Sequence, residues 1–258
     1  IVLERYSPLT ARAGLTVEAG PVSPQLRWYC APPVVLRQTG PNRMHLVQAA
    51  GGPLGGDELA LDVRLSVGAS LRLRSAAATV VQPGRSPAAA RWTVTADLAD
   101  GAMLAWCPEP TVICDGAELR SSMTVTMRRG ARVMLREVVV LGRAGQRGGR
   151  CHGELTVEYD GVPLLVHTLL LDGADPALTG PAGTGGACVA GMLVVVGEGI
   201  DGPPQDAGEQ PGLRWACSVL DGSGWLLLAL SDRVTDVTSL LDQAAQEVSA
   251  CVALNDWG

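Results

Sequence analysis

Apolar and polar residues alternate with a period of two through most of this chain, and that alternation predicts strands. Leu59, Leu61, Val63, Leu65 and Val67 interleave with Ala60, Asp62, Arg64 and Ser66. Trp92, Val94, Ala96 and Leu98 oppose Thr93, Thr95 and Asp97, and Met123, Val125 and Met127 oppose Ser122, Thr124 and Thr126. Successive side chains in a strand face opposite ways, so each set presents one apolar and one polar face. Between such strands a short turn ending in Gly-Ala recurs, at Gly68-Ala69, Gly101-Ala102 and Gly130-Ala131. Strand, tight turn and strand at near-regular spacing is the mark of stacked repeats. The pattern predicts a mainly β protein, built as two packed layers of sheet or as a short β-solenoid.

Two further elements follow from local pattern. Leu155, Val157 and Tyr159 lead into Asp160-Gly161, a type I′ hairpin signal, and the chain returns through residues 162–171. Near the end the period changes. Val237, Leu240, Leu241, Ala244, Ala245, Val248, Cys251 and Val252 share one helical face, which predicts an amphipathic helix over about 236–252 with Thr235 or Asp236 as N-cap. Residues 197–212 collect Gly, Pro and acids and read as an exposed loop, and helix is scarce before the C-terminal one. A length of 258 residues can bury one large core. The expected organisation is one domain, a β-rich core over 1–172 followed by strands and the helix over 173–258.

Composition narrows the function classes. No apolar run reaches the roughly 18 to 20 residues of a membrane span. Seven cysteines, an odd number without a C-x-x-C pair, suit reduced thiols in the cytoplasm better than a disulfide framework. The net charge of −6 is unevenly spread: residues 120–150 hold eight arginines against Glu137 alone, and residues 151–258 hold two against fifteen acids. That asymmetry points to protein partners, and an acidic whole without aromatics among the arginines argues against nucleic acid.

The stretch GGPLGGDEL raises its own question, because Gly51, Gly52, Gly55 and Gly56 surround one pair of carboxylates. A phosphate loop would need a lysine, and the chain has none. A dinucleotide fingerprint would open a helix, whereas these glycines open a strand. The residues themselves support glycines that shape a tight strand entry, with Asp57 as the cap of the turn. Two other polar residues break apolar faces. Glu137 is in phase with Val133, Leu135, Val139 and Leu141, and His167 interrupts a run apolar on both faces. Burying either unpartnered is costly, so each requires a hydrogen-bond partner, a water or an ion. The supply of catalytic groups is thin. Cys151 and His152 are neighbours and face opposite ways in a strand, and neither G-x-S-x-G nor H-E-x-x-H occurs.

Taken in order, AAGGPLGGDELALDVRLSVGASLRL, WCPEPTVICDGAELR, REVVVLGR and VPLLVHTLLLDG resemble the UreD (UreH) family of urease accessory proteins over about residues 35–172. The resemblance implies a non-catalytic chaperone scaffold for nickel insertion into apo-urease, with a β-rich helical-sheet fold and at most two helices, since residues 197–212 read as a loop where members often carry the first. It implies binding to UreF, which recruits the GTPase UreG, and to apo-urease, within a hetero-oligomer in the cytoplasm. It also implies transient Ni2+ in an internal passage and no permanently bound cofactor. By motif position, Asp57, Glu137 and His167 fall where the family's passage-lining residues fall, with His167 in place of a glutamate.

Thr79 matches a small hydroxyl residue of the family pattern, Glu109 and Asp115 lie in the second motif, and Arg143 ends the LGR motif. Val80 stands where a lysine is usual, Gln48-Ala49-Ala50 replaces His-Pro-Pro, and Gln146 stands near a usual glutamate. Two alternatives compete with the scaffold: a β-rich enzyme using Glu137 and His167 as an acid–base pair, and a plain β-solenoid interaction module.

Overall fold

The computed structural model describes residues 7–200, 202–203, 206–221 and 224–251, with side chains described to residue 248. The first strands are β1 (Thr10–Glu18), β2 (Gln25–Cys30), β3 (Val34–Gly40), β4 (Arg43–Gln48), β5 (Glu58–Leu65), β6 (Ser70–Ser75) and β7 (Thr79–Val81). The middle of the chain forms β8 (Ala90–Leu98), β9 (Met103–Trp106), β10 (Thr111–Ile113), β11 (Glu118–Met127), β12 (Arg132–Leu141), β13 (Arg150–Tyr159) and β14 (Val162–Asp172). Then come a single helical turn α1 (Pro176–Thr179), β15 (Val189–Val196), β16 (Gly208–Gln210), β17 (Leu213–Val219), β18 (Gly224–Ser231) and the helix α2 (Val234–Cys251).

The central strands wind as a β-solenoid. β5, β8, β11 and β13 stack parallel in one sheet, here sheet A. β6, β9 and β12 stack parallel in the other, sheet B. The chain crosses between sheets at the three Gly-Ala turns. Ala69, Ala102 and Ala131 each donate their N–H to the carbonyl three residues back, at 3.0 Å, and Gly68, Gly101 and Gly130 take positive φ. This is the conformation that a turn with glycine at its third position requires. Successive turns also bond to one another, Gly68 N–H to Asp100 O and Gly101 N–H to Arg129 O, both at 2.9 Å. Identical corners keep the strands in register, so inward residues form ladders: Val63, Ala96, Val125 and Val157 in sheet A, and Leu73, Trp106 and Leu135 in sheet B. These ladders make the main core between the sheets.

Both sheets are extended by antiparallel strands. Sheet A runs in the order β14-β13-β11-β8-β5-β1-β2, and sheet B continues past β12 through β15, β18, β17 and β16. The hairpin at Asp160-Gly161 forms as the sequence predicts, with positive φ at both residues. Helix α2 lays Val237, Leu240, Leu241, Ala244 and Val248 on the outer face of sheet B, against Met134, Leu193 and Trp225.

Some expectations shift. α2 begins at Val234, so Thr235 and Asp236 lie in its first turn, where the Asp236 carboxylate still favours the positive end of the helix. The side chain of Cys251 and residue Val252 fall outside the described residues. Val67 ends no strand; it is the exposed second residue of a turn. The segment 197–212 contains the short strand β16, paired with β17. Of the arginines of 120–150, Arg120 and Arg150 pair with Glu118, Arg129 with Asp160, and Arg136 with Asp242. Six cysteines of the described residues are free thiols.

Candidate functional site

Strand alternation on β12 sends Arg136 and Val138 toward α2 and Glu137 into the space between the sheets, between Leu135 and Val139. On sheet A, β14 turns His167 inward opposite Leu155 of β13. Two cavities lie along this interior. The first, of about 90 Å³, is lined by Ser75, Thr79, Trp92, Glu109, Ser121 and Glu137 among others. The second, of about 250 Å³, is lined by Glu137, His167, Leu169, Leu178, Met192 and Leu230 among others. Glu137 belongs to both and so stands at their junction. Each space is large enough for water, and the polar residues give such water partners.

The electrostatics of the junction follow from enclosure. Among the described residues the Glu137 carboxylate makes no hydrogen bond or ion pair, and burial alone pushes its pKa above the ordinary carboxylate value. What accessible surface it keeps faces the cavities. Burial lowers the pKa of His167, which favours the neutral imidazole that can donate a lone pair to a metal. Cys151 is fully buried, and burial together with the Glu137 charge drives its thiol pKa up, so it stays protonated. Glu137 and His167 share a cavity, but no hydrogen bond joins them among the described residues, as an acid–base pair would show. Nor do the described residues hold a group of three or more His, Cys, Asp or Glu placed to bind a metal ion.

Asp57 lies elsewhere. Its carboxylate, 2% exposed, accepts the Leu9 N–H at one oxygen and the Leu54 N–H at the other, each at 2.8 Å. Asp57 N–H returns to Leu54 O at 2.9 Å across Gly55 and Gly56, with Gly56 at φ +91°. A side chain at Gly55 would meet Ser86 O at 2.7 Å and the backbone of Gly84, so this glycine lets two coil corners touch. The glycine cluster therefore builds a coil corner, and Asp57 ties the entry of β1 to it. Asp57 lines neither of the two cavities.

The remaining predicted positions divide in the same way. Thr79 opens β7 and lines the first cavity, and exposed Glu109 stands at its rim with its N–H bonded to Ser75 Oγ at 2.8 Å. Asp115 accepts the Gly148 N–H at 2.7 Å. Gln146 holds its own turn by accepting the Arg143 N–H at 3.0 Å, a role its amide oxygen performs as a carboxylate would, while Arg143 itself is exposed. Gly51 has open space around it and Gly52 takes φ +134°. Val80 packs at the edge of a buried cluster with Ile113 and Val139.

Sequence reading missed Ser121. It sits in the inward phase of β11 with Leu119 and Met123, paired with Trp92 and Gly153, and lines the first cavity. A small polar residue in an apolar phase was the available signal, the same one that marked Glu137.

Residues 12–255 match the family model described as UreD urease accessory protein. The chain belongs to the UreD urease accessory protein family. It is 40% identical over 262 residues to urease accessory protein UreD of Frankia alni, covering 86% of this chain and 87% of that protein. Against the UreD protein of Streptomyces coelicolor it is 39% identical over 208 residues, covering 78% and 80%. Against that of Frankia casuarinae it is 34% identical over 279 residues, covering 90% and 88%. The family match thus extends beyond the motifs of the β core to α2. Among the described residues no helix is long and apolar enough to cross a membrane.

Proposed function

We propose that this chain is a non-catalytic scaffold of urease maturation, and that nickel passes through its interior on the way to apo-urease. The observation that carries this reading is Glu137, a half-buried carboxylate at the junction of two cavities with no hydrogen bond or ion pair among the described residues. A carboxylate there offers an oxygen ligand to a cation that enters, and His167 offers a nitrogen further along the second cavity. Two spaced donors suit passage, since a closed site with three or four ligands would retain the ion. Glu109 at the rim and Thr79 and Ser121 on the walls supply oxygen to a hydrated ion. Nickel is cargo here, and no permanent cofactor is needed.

In this reading the chain works in the cytoplasm within a hetero-oligomer. UreF is its direct partner, UreG joins through UreF, and apo-urease receives the metal; family membership supports each. Asp57 acts on the passage through the coil corner it holds.

The test is co-expression of Glu137→Gln with UreF, UreG and urease of the same source, followed by size-exclusion chromatography and metal analysis of the urease. The expected result is an intact complex with less nickel in urease. Normal nickel content in the variant would overturn the passage role of Glu137, and failure of the unaltered chain to elute with UreF would overturn the scaffold role.

A further inference from the structure

The terminal strands of the two sheets, β2, β14, β3, β16 and the three-residue β7 that ends the branch through β10, are not alike. β2 has six residues and carries Arg27, β3 carries Arg37, and β16 has three residues and carries Glu209. Short length and charge are the ordinary protections of an edge strand. β14 has eleven residues, and no charge stands in it before Asp172. It ends sheet A, and its outward backbone groups bond to no other strand. It is protected by Pro163 and the bulge opposite Val157 and Glu158 at its start, and α1 with the turn after it packs beside its other end. Its solvent face is apolar as well, with Val166 72% and Leu170 51% exposed, and before the bulge Val162 is 65% exposed at the hairpin end. Beside it, sheet B runs two strands further out from β12 than sheet A runs from β11, and Leu228 on the inner face of β18 is left exposed.

We infer that β14 is a strand-docking edge that receives an extended segment of a partner protein, with apolar residues at alternate positions and basic residues at its ends. The apolar middle would fit many strands, so charge selects among them. Glu154, Glu158, Asp160, Asp172 and Asp175 stand on or next to this hairpin against Arg150 alone, which pairs with Asp172, while Arg129 of the neighbouring turn reaches Asp160, so the hairpin stays acidic overall. A second copy pairing along β14 would bring two acidic hairpins together. Like charges directly opposite destabilise a strand pair. A basic-ended strand gains where the second copy loses, and it adds a roof over Leu228. This inference does not depend on what passes through the interior.

The experiment titrates the full chain into two fluorescent ten-residue peptides of alternating Val and Thr, one with Arg at each end and one with Glu, and follows amide exchange of β14. The expected result is binding of the Arg-ended peptide, slower exchange in residues 164–171, and affinity about five- to tenfold lower for Val166→Lys. Val166→Thr, which keeps the strand and its exposure, should bind within about twofold of the unaltered chain. Equal binding of both peptides, or no binding of either, overturns the inference. Concentration-dependent dimers that Val166→Lys abolishes would overturn it in favour of a second copy.

Discussion

Arg136 and Glu137 are consecutive on β12, yet they serve opposite faces of sheet B. The Arg136 guanidinium, on a residue 5% exposed, pairs with Asp242 of α2 and donates to Pro108 O at 3.0 Å, while Glu137 opens into the cavities between the sheets. One strand thus joins the C-terminal helix to the site, and the order of α2 supports the wall that holds Glu137.

That connection can be broken from its outer end. Asp242→Ala leaves the buried guanidinium with one carbonyl partner, and its Nε already has no hydrogen bond. The expected loss is about 1–3 kcal/mol, with faster amide exchange in α2. Arg136→Met removes both charges' need for each other and should lose less, since an apolar chain of similar length packs there. A larger loss for Arg136→Met than for Asp242→Ala would sink this account.

Asp57 should prove structural when stability is measured. Asp57→Ala strips an acceptor from both Leu9 N–H and Leu54 N–H in a buried corner. We expect a fall of about 1–3 kcal/mol in chemical denaturation, and a chain that enters fewer complexes because less of it is folded. Unchanged stability with lowered urease activation would instead return Asp57 to direct contact with the metal.

Much of this was legible in the sequence, for a physical reason. Alternation assigns each side chain to a face, and repeated Gly-Ala corners fix the register, so the solenoid, the hairpin at Asp160 and the inward aim of Glu137 all follow. Depth along the stack does not follow, because it depends on which residues of distant strands come level. Ser121 and Trp92 are level only through the pairing of β11 with β8, and the cavity they line is invisible before that pairing is known. Asp57 illustrates the same limit. Its carboxylate answers to Leu9, distant in sequence, and no local pattern names that partner.

The raised pKa of Glu137 gives a pH signature. Burial disfavours its ionised form, so the folded protein holds this proton to higher pH than the unfolded chain does. With more protons on the folded state, stability falls as pH rises from the ordinary value near about 4.3 through the raised one. Glu137→Gln has no such proton. Its advantage over the unaltered chain should be absent below pH of about 4, grow through that window and stay level above it, as read by melting temperature across pH. A constant difference at all pH would show that the carboxylate is not disfavoured by its surroundings.

Filling the first cavity separates passage from packing. Ser121 faces the cavity from β11, while Thr124 of the same strand is exposed on the outer face. Ser121→Leu places apolar volume into existing space, so melting temperature should hold or change by no more than the equivalent of about 1–3 kcal/mol. If nickel moves between the sheets, urease made with this variant should carry less of it although the accessory complex still forms. Thr124→Leu adds the same side chain outside the interior and should leave nickel content unchanged. Equal nickel content in both variants would mean that the ion takes a route that does not cross this space. A loss in both would point to the outer face of sheet A, where the partners and not the cavity would then control delivery.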